Sequence, residues 1–273
     1  MNRILTALVV LPFLIASILI SSLWWVFVLL AAAAMVLGLW EFYLLAKRLK
    51  LQPDAAAGYV AGAALITIAL QNDPAINLLL VQFVIIALTA AVLIAATLRG
   101  APFEKMIGSA GATILGVLYI PLLGSHLVSL RTGFSPTLSA HLLSFFFLVL
   151  MGADAGAYYV GRALGKHKLA PSISPGKTWE GAAGGVVAAL LMAALAHFWF
   201  FRELPLKYIL PLAVIMTVVG IFGDLSESAL KRSAGAKDAA NILPGHGGIL
   251  DRLDSLLFNA PLIYYFARFY FHS

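Results

Sequence analysis

Ser228-Ala-Leu-Lys-Arg232, Lys237-Asp238 and Pro244-Gly-His-Gly-Gly-Ile-Leu-Asp-Arg-Leu-Asp254 crowd cations, carboxylates, hydroxyls and glycines into 27 residues. Immediately upstream, residues 208–222 run Tyr-Ile-Leu-Pro-Leu-Ala-Val-Ile-Met-Thr-Val-Val-Gly-Ile-Phe without a charge, and an apolar stretch resumes after Asp254. A polar block between two apolar runs reads as a water-facing segment between membrane spans. The rest of the 273-residue chain supports that reading, because 62% of it is hydrophobic, 11% is charged and its mean hydropathy is +0.97. A soluble core of this size would need a larger polar shell. The expected fold is therefore all-α, a polytopic integral membrane protein forming a single transmembrane domain.

Hydropathy places nine spans near 4–20, 23–46, 56–71, 76–98, 108–130, 138–163, 179–201, 208–230 and 252–271. The first run follows Met1-Asn-Arg3 and is long enough to cross a bilayer. No small-x-small cleavage site precedes the next apolar segment, so it reads as a retained span. Trp24, Trp25, Trp40, Tyr43, Trp199 and Tyr208 fall near span ends as interfacial anchors. Cysteine is absent, which excludes disulfides and thiolate metal sites.

The formal charge of +6 fits loops beside anionic lipid, and no basic-aromatic platform points to nucleic acid. Grouping the loops after the second, fourth, sixth and eighth spans with the C-terminus collects Lys47, Arg48, Lys50, Arg99, Lys105, Arg162, Lys166, Lys168, Lys177, Lys231, Arg232, Lys237, Arg252 and Arg268, against Arg3, Arg131, Arg202 and Lys207 elsewhere. The positive-inside rule then puts the N-terminus outside and the C-terminus and both motif loops in the cytosol of a plasma (inner) membrane. Residues 1–150 hold four acidic residues and residues 151–273 hold eight. The first part reads as scaffold or lipid-facing helices, the second as the catalytic part.

Asp224, Glu227, Ser228 and Lys231 lie along one helical stripe at the end of the 208–230 span. A carboxylate at the bilayer centre costs roughly 2.5–3.5 kcal/mol, so such a group normally serves a site or a partner. Glu227 has Lys231 four residues on. Asp224 has no cation within reach in its own helix and is expected to bind metal. Asp251 and Asp254 share a side of the next helix's first turn, where capping is the competing role. The Pro244–Gly248 run supplies close-approach amides, and His246 a donor to phosphate. Hard oxygen ligands of this type indicate Mg²⁺.

Before the 179–201 span, Lys166-His-Lys168-Leu-Ala-Pro171-Ser-Ile-Ser174-Pro-Gly176-Lys177-Thr178 alternates cations with hydroxyls. Its Gly-Lys-Thr ending imitates a P-loop, but Pro171 stands where the first glycine should be and no strand is expected before it. Phosphate capture and a plain positive-inside loop are both compatible with it. Asp154, between small residues in the 138–163 span, has three open roles: metal ligand, lysine partner or brace for the site. Gly181-x-x-x-Gly185 reads as a helix-packing motif, within the chain or between subunits. His126, His141 and His197 read as packing residues.

The 228–254 pattern resembles the signature of the phosphatidate cytidylyltransferases (CDP-diacylglycerol synthases) at every position, with more than ten fixed identities. Gly161-Arg162, Gly165-Lys166, Ser174-Pro175 and Lys177-Thr178-x-Glu180-Gly181 are similar to that family's second cluster; Ala239-Ala240-Asn241 is plainer than the family's usual segment. The resemblance implies condensation of CTP with phosphatidic acid to CDP-diacylglycerol and pyrophosphate, with Mg²⁺, a second cation and a homodimer. It also implies roles. Asp224 and Asp251 would be catalytic metal ligands, joined by Asp254 and, as further candidates, Asp154 and Glu227. Lys231 and Lys177 would be catalytic cations. Ser228, Arg232, Lys237, Asp238, His246, Gly247, Gly248, Arg252, Lys166 and Ser174 would bind substrate. Two other membrane functions fit less well. A CDP-alcohol phosphatidyltransferase would carry a spaced Asp-Gly…Ala-Arg…Gly…Asp…Asp pattern, which is absent. An ion-coupled transporter would explain Asp154 and Asp224 but not the glycine-rich, polycationic loop.

Overall fold

The computed structural model describes residues 2–71, 73–100, 103–236 and 248–271, with side chains from Leu11 onward other than Pro74. Its helices are α1 (Asn2–Leu19), α2 (Trp24–Arg48), α3 (Ala55–Ala69), α4 (Pro74–Arg99), α5 (Met106–Val117), α6 (Leu123–Thr132), α7 (Pro136–Leu164), α8 (Trp179–Trp199), α9 (Leu206–Ser233) and α10 (Leu250–Phe271). A π turn at Leu118–Leu122 joins α5 to α6. Pro121 lies inside it and has no N–H to give to the helical ladder, a common cause of such a bulge.

Every expected span has a helix at its place. Among the described residues, six runs are long and apolar enough to cross a membrane: Ser21–Arg48, Ala75–Arg99, Phe103–Thr132, Pro136–Leu164, Trp179–Trp199 and Leu206–Ser233. At 15 residues α3 is shorter, and α10 opens on Asp251, Arg252 and Asp254. Helix starts follow local chemistry. Asp54, Asp73, Ser135 and Thr178 each accept a backbone N–H in the first turn of α3, α4, α7 and α8.

One expectation about the fold is corrected. The segment after α7 is an antiparallel hairpin, β1 (Lys168–Ala170) with β2 (Ser174–Thr178), so the chain is not purely helical and Gly176-Lys177-Thr178 lies on a strand. Pro171 sits in the turn, where its fixed φ suits a reversal. The hairpin lets the segment pair its own backbone groups.

Packing is closest where side chains are smallest. A Cβ on Gly185 of α8 would stand 3.0 Å from the Ala153 carbonyl of α7, and one on Gly156 would strike Ala188 and the Gly184 carbonyl. The Gly181-x-x-x-Gly185 motif therefore packs within the chain, on α7. One apolar core joins Phe145, Phe146 and Val149 of α7 to Ala189, Ala193, Met216, Ala260 and Ile263. A second joins Met35, Leu39, Phe42 and Tyr43 of α2 to Tyr119, Ile120, Leu250 and Leu257. Helix α10 contributes to both and so binds the two parts of the chain together. Conversely, Leu79, Phe83, Ile86 and Leu98 of α4 face outward, as lipid-facing residues should.

Trp24, Trp25, Trp40, Trp199 and Tyr208 are all exposed, in keeping with interfacial positions. Tyr43 is not an anchor: it is 2% exposed and donates its hydroxyl to the Thr113 carbonyl at 3.2 Å. His126 packs against the rings of Tyr264 and Tyr265, and His197 contacts the Leu204 carbonyl at 3.0 Å. His141 Nδ1 lies 3.3 Å from Glu203 Oε2, a neighbour that its apolar sequence surroundings did not reveal.

Candidate active site

Gly223 brings α9 against the start of α10. A Cβ there would stand 2.6 Å from the Asp254 carbonyl and 3.2 Å from the Ser255 Cα, so only glycine allows this approach. The consequence is that Asp224, next along α9, shares a cavity with Asp251 and Asp254 of α10. Helix α7 adds Asp154, and the hairpin adds Lys177 and Thr178. The cavity measures about 530 Å³, with Gly161, Arg162, Gly181, Gly185 and Ser255 also in its wall. Four aspartates from three helices therefore converge, although Asp154 is 97 residues away in sequence from Asp251.

Lysines offset much of this negative charge. Lys177 Nζ lies 2.6 Å from Asp224 Oδ2, and the Ser228 hydroxyl donates to Asp224 Oδ1 at 3.4 Å. Lys231 pairs with Glu227 at 2.8 Å and donates a short hydrogen bond to Asp251. Glu227 is 1% exposed, so this shared ammonium is its compensation in a dry setting. The expected Glu227–Lys231 pair is present, and the link from Lys231 on to Asp251 is new.

Helix α10 is fixed by carboxylates. Asp251 accepts the Gly248 N–H at 3.1 Å, while Glu41 of α2 accepts those of Ile249 at 2.9 Å and Leu250 at 2.7 Å. The Gly248 amide, expected in a phosphate nest, is thus already taken by Asp251. Lys237, Asp238, His246 and Gly247 lie outside the described residues. The remaining candidates are not part of the cavity lining. Arg232 reaches the Ile173 carbonyl at 3.4 Å, Ser174 starts β2 opposite Ala170, Arg252 is exposed on α10, and Lys166 precedes the hairpin. Glu180 holds the hairpin's base by accepting the Lys166 and His167 amides and approaching His167 Nδ1 at 2.6 Å.

The donor chemistry suits a hard cation, since four carboxylates face one cavity. Among the described residues, however, no three His, Asp or Glu side chains form a ready-made ligand set. Lys177 and Lys231 occupy the Asp224 and Asp251 carboxylates instead.

The sequence profile described as the cytidylyltransferase family matches residues 1–270. The chain belongs to the cytidylyltransferase family. The similarity to individual members is strongest over part of the chain. The phosphatidate cytidylyltransferase of Bacillus subtilis is 44% identical over 158 residues, 57% of each chain. That of Haemophilus influenzae is 44% identical over 134 residues, 48% of this chain and 46% of the relative. These alignments span about half the length of those relatives. The phosphatidate cytidylyltransferase of Pseudomonas aeruginosa is 35% identical over 266 residues, 96% of this chain and 94% of its own. Tyr158, Thr217 and Ser255 in the cavity wall escaped the sequence reading, as did Glu41, which holds the start of α10. For Glu41 the available signal was the one that singled out Asp154, a lone acid inside an apolar span.

Proposed function

We propose that the protein is a phosphatidate cytidylyltransferase that transfers CMP from CTP to phosphatidic acid, releasing pyrophosphate. The observation that carries this reading is the cavity where Asp154, Asp224, Asp251, Asp254 and Lys177 meet, in a chain of the cytidylyltransferase family. In the reaction an ionised phosphatidate oxygen attacks the α-phosphorus of CTP. A P–O bond forms there, the bond to the bridging β-phosphate oxygen breaks, and pyrophosphate leaves with the electron pair. The nucleophile is already anionic, so positioning and charge neutralisation matter more than a general base. Lys177 and Lys231 suit that task, with Arg232, Ser174 and Lys166 as the further groups for substrate phosphates. Asp224, Asp251 and Asp254 are the residues that would hold Mg²⁺, with Asp154 and Glu227 nearby. Once bound, Mg²⁺ would neutralise phosphate charge and stabilise the departing pyrophosphate. A second cation and a homodimer belong to the same reading. The test is incubation of purified, folded protein with labelled CTP, phosphatidate and Mg²⁺. Lipid-linked CMP is expected, and its absence would refute the assignment.

If Lys177 serves the substrate phosphates, Lys177→Ala should weaken use of CTP or phosphatidate by about 1.5–3 kcal/mol, the worth of a charged hydrogen bond. That corresponds to about a 10–150-fold fall in kcat/KM. Unchanged kinetics with both substrates would leave the hairpin lysines as membrane-orienting charges only.

The topology we propose has nine crossings in the plasma (inner) membrane, with α1, α3 and α10 crossing beside the six apolar runs. Six crossings precede the hairpin and eight precede the 231–250 segment, so with both in the cytosol the N-terminus is cytosolic too and the C-terminus lies outside, which reverses the expected placement of the two ends. Gln71 and Ser233 are exposed and the chain has no cysteine, so single cysteines at these positions should label from opposite sides of sealed vesicles. Labelling from one side would break the count.

A further inference from the structure

We propose that Glu41 is a positioning residue for the reaction, acting from α2 on the segment that carries Asp251 and Asp254. It lies 208 residues from Ile249 in sequence and is 0% exposed. A buried carboxylate needs partners, and Glu41 has them on both oxygens: Oε1 accepts the Ile249 N–H and Oε2 the Leu250 N–H. These are donors at the start of α10, which have no partner within the helix. The negative charge also faces the positive end of the α10 dipole.

Gly248 gives a second, independent sign of how closely the two parts fit. A Cβ there would stand 2.6 Å from Glu41 Oε2 and 3.1 Å from both Oε1 and Cδ. Glu41 therefore fixes the path of the last glycine before the helix as well as the helix start. Asp251 follows three residues later, with its own carboxylate on the Gly248 amide and the Lys231 ammonium. Taking over the Ile249 and Leu250 amides leaves Asp251 free to face Lys231 and the cavity rather than cap its own helix with both oxygens. Glu41 is not among the residues that line the cavity, so its effect on chemistry passes through the placement of residues 248–254. This gives the N-terminal part of the chain a role in the site beyond scaffold.

The inference rests on the cytidylyltransferase reading, so its test has one arm that needs no turnover. Glu41→Gln keeps the side chain's shape but turns an NH₂ toward an amide donor. Gly248→Ala disturbs the same contact from the other side. In Glu41→Gln we expect a fall in kcat of about 10–100-fold, with the KM values for CTP and phosphatidate within about threefold of wild type. Amide exchange should accelerate in peptides covering 248–254 and stay unchanged in α7 and α8. Because both substitutions act on one contact, the double variant should lose far less than the product of the two single losses. Wild-type kcat in Glu41→Gln would overturn the proposal. So would exchange that rises throughout the protein while each folded molecule keeps full turnover, which marks a purely structural role. If wild-type protein makes no lipid-linked CMP, the functional reading fails by itself, and exchange across 248–254 still decides whether Glu41 holds that segment.

Discussion

Asp224→Asn and Asp251→Asn should each cut turnover by about 10²–10³-fold or more in protein that still folds, the scale seen when one preorganised charge-stabilising group is removed. An amide keeps the size of the carboxylate but not its charge, and it is a poor substitute on Mg²⁺. Asp224 lies at the approach set by Gly223, with Lys177 as its partner across the cavity and Ser228 along its helix. Asp251 adds the Gly248 amide and Lys231. Glu227→Gln should cost much less, because a glutamine oxygen still accepts from Lys231 and Glu227 is absent from the cavity wall. Turnover and Mg²⁺ titration of the three variants separate the roles. A Glu227→Gln enzyme as inactive as Asp224→Asn would reverse the assignment of ligand and bystander.

Lys231→Met should give the largest loss of stability, about 3–5 kcal/mol, the range for deleting one member of a buried ion pair. The ammonium is 12% exposed and lies between Glu227, at 1%, and Asp251, at 20%, so its removal leaves two carboxylates facing each other in a poorly hydrated place. Methionine fills similar volume, which isolates the charge effect from a cavity effect. Adding Glu227→Gln to Lys231→Met should recover part of the loss by removing one of the stranded charges. Thermal or denaturant unfolding in detergent micelles measures both. An unfolding midpoint for Lys231→Met equal to that of wild type would mean that the Glu227–Lys231–Asp251 chain adds nothing to stability.

Hydropathy alone located the helices well, because in a bilayer each span must be apolar over most of its length. The expected 138–163 and 179–201 spans became Pro136–Leu164 and Trp179–Trp199. The 228–254 pattern and the lone acids likewise pointed to Asp154, Asp224, Asp251 and Asp254, which meet at one cavity. What could not be read was pairing between distant segments. Lys177 with Asp224, Lys231 with Asp251 and Glu41 with the α10 amides all depend on helix approach, and nothing periodic in the chain encodes it. The hairpin escaped because its strands, three and five residues long, are too short for alternation to register against two prolines and a glycine. Tyr43 was misread because a position near a span end says nothing about which way a ring turns.

The glycine contacts have a mechanical consequence. Helices α7 and α8 interlock through Gly156, Gly184 and Gly185, and α9 is held on α10 at Gly223, so each pair should move as a rigid body. Between the pairs, a Cβ on Gly185 would meet the Thr217 methyl of α9 at an ordinary 3.7 Å. Asp154 and the hairpin's Lys177 ride on one body, and Asp224, Asp251 and Asp254 on the other. The cavity thus lies between the two pairs, and the Lys177–Asp224 ion pair spans them as a latch. Any motion that resizes the cavity would slide one helix pair past the other, and a ligand that draws Lys177 away from Asp224 would release it.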